Sequence, residues 1–207
     1  LGLSRDELFS LVSDLETQPK RVSMRVSQLW YWIYCHGMSS FDNMTNIDKS
    51  LRSKLQKVFN ISRPAIEKKE ISDDGTIKYL FCLEDQSKIE TVFIPEEKRS
   101  TLCISSQVGC TLNCSFCHTG TQKLVRNLSS QEIVGQVIAV YDDLGLWEKK
   151  RVNSSHSSCF EIITNIVFMG MGEPLLNYEE VKKACSILMD NKGLDFSRRR
   201  ITLSTAG

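Results

Sequence analysis

The sequence predicts an α/β protein in which parallel strands with covering helices follow a small helical domain and a short antiparallel β segment. Residues 1 to about 60 show the apolar periodicity of helices. Residues 64 to 95 contain three short strand-like runs separated by turn residues. From about residue 100 the pattern alternates as strand, loop, helix, strand, helix, strand. This order is typical of parallel sheets in open or closed α/β barrels.

Length and composition indicate a globular protein. The 207 residues are 41% hydrophobic and 25% charged, which is enough for one large domain or for one domain plus a small one. No apolar run approaches the ~18 residues that a membrane-spanning helix needs, and the first residues do not resemble a signal peptide. We therefore expect a cytoplasmic protein, in a reducing compartment where clustered cysteines are more often metal ligands or catalysts than disulfides.

The net charge of +1 excludes a protein whose whole surface attracts nucleic acid. Contacts with RNA or DNA would have to use local basic runs. These runs are Lys20-Arg21, Lys149-Lys150-Arg151 and Arg198-Arg199-Arg200. A solvated surface is the simpler interpretation of each run.

Residues 1–62 are predicted to form an N-terminal helical domain. Ser4 and Glu7 make a capping-box pattern that begins the first helix. The second helix lies in VSQLWYWIYCHG and is stopped by Gly37. The third, in DKSLRSKLQKVF, carries an apolar stripe of Leu51, Leu55 and Val58. Simple packing is the interpretation favoured for the aromatic residues Trp30 and Trp32.

Residues 63–98 are predicted to form an antiparallel β segment that links the helical domain to the rest of the chain. Its three strands are AIEKKEIS, TIKYLFCL and KIETVFIP. The stretches DDG and EDQS between them are turn signals, and Pro95 ends the third strand. A meander of neighbouring strands follows from these short connections.

Residues 99–207 are predicted to form the α/β core. The strand TLCISSQ leads into a cysteine-rich loop, and Ser129 with Glu132 caps a helix that ends at Gly145. The polar stretch EKKRVNSSHSSC is interpreted as a surface loop. The strand NIVFMG, a helix that begins at Asn177, and the strand RRRITLST complete the pattern.

Three cysteines stand close together in the loop, with the spacing C-x3-C-x2-C at Cys110, Cys114 and Cys117. A structural zinc site usually takes four ligands in two separated pairs, and adjacent His118 is poorly placed to complete one. An iron–sulfur cube fits better because each thiolate binds one iron corner. With three thiols nearby, the fourth iron would be open to a small chelating ligand.

The stretch FMGMGEP follows a predicted strand. Gly170 and Gly172 are expected to let the backbone approach a ligand closely. Glu173, fixed by Pro174, would present a carboxylate at the carboxyl end of a strand, where α/β sites lie.

These motifs together resemble those of the radical S-adenosylmethionine (SAM) enzymes. The resemblance implies a partial radical-SAM (β/α) barrel with a 4Fe–4S cluster on Cys110, Cys114 and Cys117, and SAM as the second cofactor. It also implies that Gly172 and Glu173 hold the SAM ammonium group, and that Ser204 of LSTAG contacts SAM.

Longer stretches resemble one family, the RlmN-type adenine-C2 RNA methyltransferases. They are IETVFIPEEKRSTLCISSQVGCTLNCSFC, RNLSSQEIVGQV and GMGEPLLNY. The resemblance implies methylation of carbon 2 of adenine in large-subunit ribosomal RNA and in some tRNAs through an S-methylcysteine. It implies that Cys103 is the resolving thiol and Glu90 the proton acceptor. We also expect an electron donor such as flavodoxin or ferredoxin, and a monomer.

Three alternatives stay open. A related resistance-type enzyme methylates carbon 8 of adenine and shares these motifs. A radical-SAM activase would need further cysteine clusters, and an RNA-binding module with a structural zinc would need no radical chemistry. The remaining cysteines have no match to a family role and are interpreted as packing residues: Cys35, Cys82, Cys159 and Cys185.

Both ends of the sequence look cut. It starts without Met, and ITLSTAG predicts a strand that leads into another element. The resemblance places the methyl-carrying cysteine beyond Gly207. We therefore expect the 207 residues alone to show no RNA methylation.

Overall fold

A computed structural model describes residues 1–112, 114, 117–147 and 163–206. Within these ranges the helices are α1 Arg5–Leu15, α2 Val22–Tyr34, α3 Lys49–Val58, α4 Ser130–Asp143 and α5 Tyr178–Leu188. The first strands are β1 Ala65–Ile71, β2 Ile77–Cys82, β3 Lys88–Pro95 and β4 Ser100–Cys103. The others are β5 Gln107–Val108, β6 Arg126–Asn127, β7 Asn165–Phe168 and β8 Ile201–Leu203.

Helices α1 to α3 form the predicted helical unit. Both halves of the Ser4–Glu7 capping box are present, so this prediction is confirmed. Gly37 follows α2 with φ +64°, a left-handed conformation that ends a helix. The predicted stripe of α3 is correct for Leu51 and Leu55, which are buried, but wrong for Val58, which is 57% exposed. Val58 is the last helical residue, and the chain becomes extended at the next position.

One six-stranded sheet contains both the antiparallel segment and the parallel strands. Its order is β1-β2-β3-β4-β7-β8. Strands β1 to β4 pair antiparallel, whereas β4, β7 and β8 pair parallel. The predicted strands and their directions are therefore confirmed, and the segment predicted as a β linker is continuous with the sheet of the core.

The two faces of this sheet differ in burial. One face, called the covered face, carries side chains that are almost fully buried: Tyr79, Phe81, Ile89, Phe93, Leu102 and Ile166. The other, called the open face, carries half-exposed or exposed side chains: Lys78, Glu90, Val92, Cys103 and Val167. Alternation along each strand therefore puts one set of residues in the core and leaves the other accessible.

Helix α4 is buried on all sides. It is capped by the predicted Ser129–Glu132 box, and its residues from Ile133 to Tyr141 are all buried. On one side its Gln136 reaches the sheet, where Oε1 accepts hydrogen bonds from the Thr91 hydroxyl and the Ser105 N–H, both at 2.8 Å. On another side the Ser130 hydroxyl donates to the carbonyl of Gly2 at 2.9 Å. A helix that is apolar all round is expected in such a position.

Ion pairs join the helical unit to the core. Arg5 makes a bidentate pair with Asp190, with contacts of 2.7 and 2.8 Å. Lys183 pairs with Glu7 at 2.6 Å. Arg63, directly after the helical unit, pairs with Asp142 at 2.8 Å and donates to the carbonyl of Ile61 at 2.7 Å. The helical unit therefore lies against α4 and the segment around α5, on the side away from the open face.

Some predictions fall on residues that the structure does not describe. They concern the stretch EKKRVNSSHSSC at 148–159, which includes Lys149-Lys150-Arg151 and Cys159, and these residues lie outside the described ranges. Among the described residues, no helix has the length and apolar character needed to cross a membrane.

Replacement of Gln136 by Leu tests the bond between α4 and the sheet. It leaves the main chain of Ser105 without its buried partners, so we expect the free energy of unfolding to fall by roughly 2–4 kcal/mol. Chemical denaturation of the protein measures this change. Gln131→Leu, at a half-buried position on the same helix, is the control and should change stability by less than about 0.5 kcal/mol. Equal losses of unfolding free energy in the two variants would contradict the role of Gln136 in joining α4 to the sheet.

Candidate cofactor site

The carboxyl ends of the parallel strands meet at one edge of the sheet. After β4 the chain continues as residues 104–107, after β7 as 169–173, and after β8 as 204–206. In α/β folds this edge is where ligands bind. The predicted motifs therefore come together at the edge where a site is expected.

The cysteine loop is closed at its base by a small sheet. Strands β5 and β6 pair antiparallel, with Gln107 opposite Asn127 and Val108 opposite Arg126. Gly109 starts the loop with φ +73°, and a Cβ there would lie 2.2 Å from the carbonyl oxygen of Lys123. We call these two strands the stem of the loop. The stem holds both ends of the cysteine loop at the carboxyl edge.

Within the loop, the main chain folds into successive turns. The Cys117 N–H donates to the carbonyl of Cys114, and the Gly120 N–H donates to the carbonyl of Cys117, both at 3.0 Å. The Leu112 N–H lies 3.4 Å from Sγ of Cys110. Phe116, the predicted aromatic residue before the last cysteine, lies outside the described residues.

A cavity of about 230 Å³ lies between the cysteine loop and the strand ends. Six of its lining residues are those predicted to bind the cluster or SAM: Cys110, Cys114, Cys117, Gly172, Glu173 and Ser204. The other lining residues are Leu112, Thr119, Phe168, Met169, Gly170, Thr205 and Ala206. Residues far apart in sequence thus share one cavity.

The donor groups suit a polynuclear centre. Cys110, Cys114 and Cys117 are free, half-buried thiols around the same cavity. A 4Fe–4S cube takes thiolates as ligands, one at each of several separate iron corners. The three thiols therefore fit a 4Fe–4S cluster.

Glu173 presents a buried, ionised carboxylate to this cavity. Burial by itself would raise the pKa of Glu173, but hydrogen bonds from the Ala206 N–H, the Thr205 hydroxyl and the Leu175 N–H hold the pKa below its ordinary value. The Ala206 N–H lies 3.0 Å from Oε2, and the Leu175 N–H lies 3.1 Å from Oε1. The carboxylate is therefore negatively charged at neutral pH and can attract a cationic group.

The glycines of FMGMGEP approach the protein's own chain. A Cβ at Gly172, which has φ +96°, would lie 2.4 Å from Cβ of Gln107. A Cβ at Gly170 would lie 2.7 Å from Oγ of Ser105. The expectation that these glycines serve close approach to a ligand is therefore incomplete. Both line the cavity, but packing against residues 104–107 already requires them.

Glu90 and Cys103 lie on the open face, beside the cavity and not in its lining. Val92 is the register partner of Cys103, and Glu90 is two positions before Val92 on the same face. Such diagonal neighbours have Cα atoms about 7–8 Å apart. The Glu90 carboxylate pairs with Lys78 at 2.7 Å, and the two side chains are 41% and 46% exposed. The structure thus brings Glu90 and Cys103 close to each other.

Cys103 is a protonated thiol at neutral pH. Burial raises its pKa, and a hydrogen bond from the Met169 N–H acts in the opposite direction without cancelling the rise. Met169 itself lines the cavity. The thiol therefore lies next to the cavity wall, between that wall and Glu90.

Several polar residues of the site could not be identified from sequence patterns. Gln107, Gln136 and Asn177 are buried amides that bind main-chain groups or side chains of other elements. Arg126 of the stem pairs with Asp85 at 2.7 Å and with Glu132 at 2.8 Å. A buried amide within an apolar helix, as at Gln136, is the one signal that sequence reasoning could have used.

The two basic runs that lie within the described residues are both away from the cavity. Arg198-Arg199-Arg200 precedes β8 and lies at the amino edge of the sheet, opposite the cavity. Lys20-Arg21 is exposed in a short turn of the helical unit. Neither run borders the cavity directly.

A protein-family model matches the helical unit. The model is described as "Ribosomal RNA large subunit methyltransferase N-terminal domain", and it covers residues 1–61. A solved structure, of a radical SAM methyltransferase from Sphaerobacter thermophilus, superposes with a TM-score of 0.83 at 37% identity. The match covers 100% of this chain and 56% of that one. It confirms the predicted fold class, an α/β partial radical-SAM barrel preceded by helices.

Curated relatives extend the match to the whole sequence. "Dual-specificity RNA methyltransferase RlmN" of Paracoccus denitrificans is 51% identical over 207 residues, and the protein of the same name from Brucella melitensis is 52% identical over 214 residues. Each alignment covers 100% of this chain and 52% of the relative. The chain corresponds to the N-terminal half of the RlmN family. It spans about half the length of these RlmN relatives.

The RlmN match confirms the resemblance inferred from the motifs. The aligned 207 residues include the three stretches that carry the cysteine loop, the capped helix α4 and the segment around Glu173. Over its whole length the chain is thus similar to about half of proteins named RNA methyltransferases and to part of a radical SAM methyltransferase of known structure.

Replacement of Gly172 by Ala tests the close packing in this RlmN-like site. Gly145 is the matched control, because it has φ +62° and no atom lies within 4 Å of the place that an added methyl group would take. Gly145→Ala should cost about 1 kcal/mol for its left-handed conformation. Gly172→Ala should cost roughly 1–3 kcal/mol more, because its methyl collides with Gln107. Denaturant unfolding measures both, and similar losses would contradict the packing argument.

Proposed function

We propose that this chain is part of a radical SAM enzyme that methylates carbon 2 of a specific adenine in large-subunit ribosomal RNA and in some tRNAs. The observation that carries the proposal is the single cavity lined by Cys110, Cys114, Cys117, Glu173 and Ser204. The RlmN names of the relatives support an RNA substrate. A cytoplasmic monomer that receives electrons from a flavodoxin or ferredoxin belongs to the same proposal.

In this proposal the cavity residues divide into two groups. Cys110, Cys114 and Cys117 hold a 4Fe–4S cluster, while Gly172, Glu173 and Ser204 hold SAM. The bound cofactors would supply the hydrogen-abstracting radical and the methyl group. The negative charge of Glu173, kept by its hydrogen bonds to Leu175 and Ala206, would orient the SAM ammonium group.

Glu90 and Cys103 would complete the reaction on the open face. Glu90 accepts the proton lost from carbon 2 of adenine. Cys103 would lose its thiol proton and attack the sulfur of a methyl-carrying cysteine. The S–S bond forms as the bond from that sulfur to the methylene carbon on the base breaks, and this carbon takes up a proton to become the methyl group of the released product. The resemblance puts that partner cysteine outside residues 1–207. The nearness of Glu90 to Cys103 and the Met169 contact with the thiol support this assignment.

Replacement of Cys114 by Ala tests the cluster. In the full-length protein, reconstituted with iron and sulfide without oxygen, we expect the broad visible absorption and most bound iron to be lost. Cys185→Ala is the matched control, since Cys185 packs on α5 and burial raises its pKa to about 11. The control should keep its iron. Zinc binding by the unsubstituted protein, with no visible absorption under these conditions, would contradict the proposal.

Replacement of Cys103 by Ala tests the release step. Without the resolving thiol, the product should stay attached, so a covalent protein–RNA adduct should accumulate in the full-length enzyme. Denaturing gel electrophoresis with labelled RNA detects it. Cys82→Ala, at the end of β2 on the same face, is the control and should leave no adduct. Normal turnover by Cys103→Ala would refute the role, and mass spectrometry of the product RNA separates methylation of carbon 2 from that of carbon 8.

A further inference from the structure

Gln107 is a buried amide in the stem of the cysteine loop. It is 1% exposed, and both ends of its side chain are hydrogen-bonded. Oε1 accepts the N–H of Glu173 at 2.9 Å, and Nε2 donates to Oδ1 of Asn127 at 2.7 Å. One side chain thus joins the two strands of the stem to the segment that carries Glu173.

Asn127 and the Gln107 main chain hold that same segment at further points. Nδ2 of Asn127 donates to the carbonyl of Leu176 at 3.2 Å. The N–H of Gln107 donates to the carbonyl of Met171 at 3.2 Å. The segment is therefore attached to the stem before, at and after Glu173.

Close packing leaves the segment that carries Glu173 little room to move relative to the stem. A methyl group at Gly172 would already collide with Gln107, so the segment cannot move closer to the stem. On its other side, the Glu173 carboxylate is held by the Ala206 N–H after β8. The stem on one side and the chain after β8 on the other thus fix the direction of this carboxylate.

This arrangement has a consequence for a ligand in the cavity. A small ligand that touches both the cysteine loop and Glu173 needs a fixed distance between them. Gln107 supplies a rigid connection of that kind because it lies on the strand that leads into the loop and bonds the Glu173 main chain. Gln107 is not among the described residues that line the cavity. Its effect on a ligand there is therefore indirect, through the position of Glu173.

We propose that Gln107, supported by Asn127, is a positioning residue that sets the affinity of the site for SAM by holding Glu173 against the stem of the cysteine loop. This inference rests on the proposed function, in which Glu173 orients the SAM ammonium group. Misplacement of a binding group by about 1 Å can change rates up to ~100-fold. A smaller displacement after loss of the Gln107 bonds is expected to weaken SAM binding by roughly tenfold.

Equilibrium binding of SAM to the full-length, cluster-loaded protein without oxygen tests this inference. Gln107→Leu should raise the Kd for SAM roughly tenfold while iron content and visible absorption stay unchanged. Thr164→Val is the matched control. It also removes two partly buried side-chain hydrogen bonds, both to Ser100, but at the amino edge of the sheet. Its Kd for SAM should be unchanged, although its melting temperature falls.

A conservative pair of variants separates positioning from general stability. Asn127→Asp keeps an oxygen that accepts from Gln107 and replaces the bond to the Leu176 carbonyl by an oxygen–oxygen contact, whereas Asn127→Leu loses both bonds. SAM should bind more tightly to Asn127→Asp than to Asn127→Leu. Because Asn127 is exposed, these variants are expected to fold even where Gln107→Leu does not.

Glu173→Gln distinguishes failure of this inference from failure of the proposed function. If Glu173→Gln weakens SAM binding and Gln107→Leu does not, Gln107 has no positioning role. If Glu173→Gln leaves the Kd for SAM unchanged, the assignment of Glu173 to SAM fails and the inference fails with it. If Gln107→Leu loses iron, the comparison of SAM binding by Asn127→Asp and Asn127→Leu becomes the test of the positioning role. Equal SAM affinities of the two Asn127 variants, with iron retained, would overturn the inference.

Discussion

The site depends on how the main chain of residues 104–107 is hydrogen-bonded after it leaves the sheet. This segment is buried, so its N–H and C=O groups need partners inside the protein. Gln136 supplies them for Ser105, and the Asn177 amide donates to the carbonyl of Ser106 at 2.8 Å. The Ser105 hydroxyl in turn donates to the carbonyl of Glu90 at 2.6 Å. Helices, strand β3 and the cysteine loop are therefore held to one another through this short segment.

Much of the fold could be predicted because its signals are local. The Ser129–Glu132 capping box, the turns of the β segment and the apolar strand NIVF each lie within a few residues, and each was correct. The error at Val58 has a physical cause, since a periodic stripe does not tell where a helix leaves its packing surface. The single sheet was not predicted because pairing of β3 with β4 is a contact between elements.

The residues of the candidate site also differ in whether the sequence alone identifies them. The sequence motifs led to the three cysteines and Glu173, because their spacing is unusual enough to stand out. Gln107 and Asn177 carry no comparable signal, since their partners are main-chain groups brought near by folding. The need for glycine at position 172 could not be predicted in full either, because only the folded chain brings this residue against Gln107. Residues predicted to carry the chemistry were thus easier to single out from the sequence than the residues that hold them in place.

The long separation in sequence between Arg5 and Asp190 has a consequence for synthesis of the chain. These partners are 185 residues apart. At the usual 5–20 residues per second, a ribosome needs roughly 10–40 seconds to make the intervening chain. During that interval Arg5 has no Asp190 to pair with. The apolar surface that will later cover α4 stays exposed for the shorter time until Ser130–Asp143 has been made. The nascent helical unit therefore passes through a period in which it depends on its own small core, or on a chaperone, to avoid aggregation.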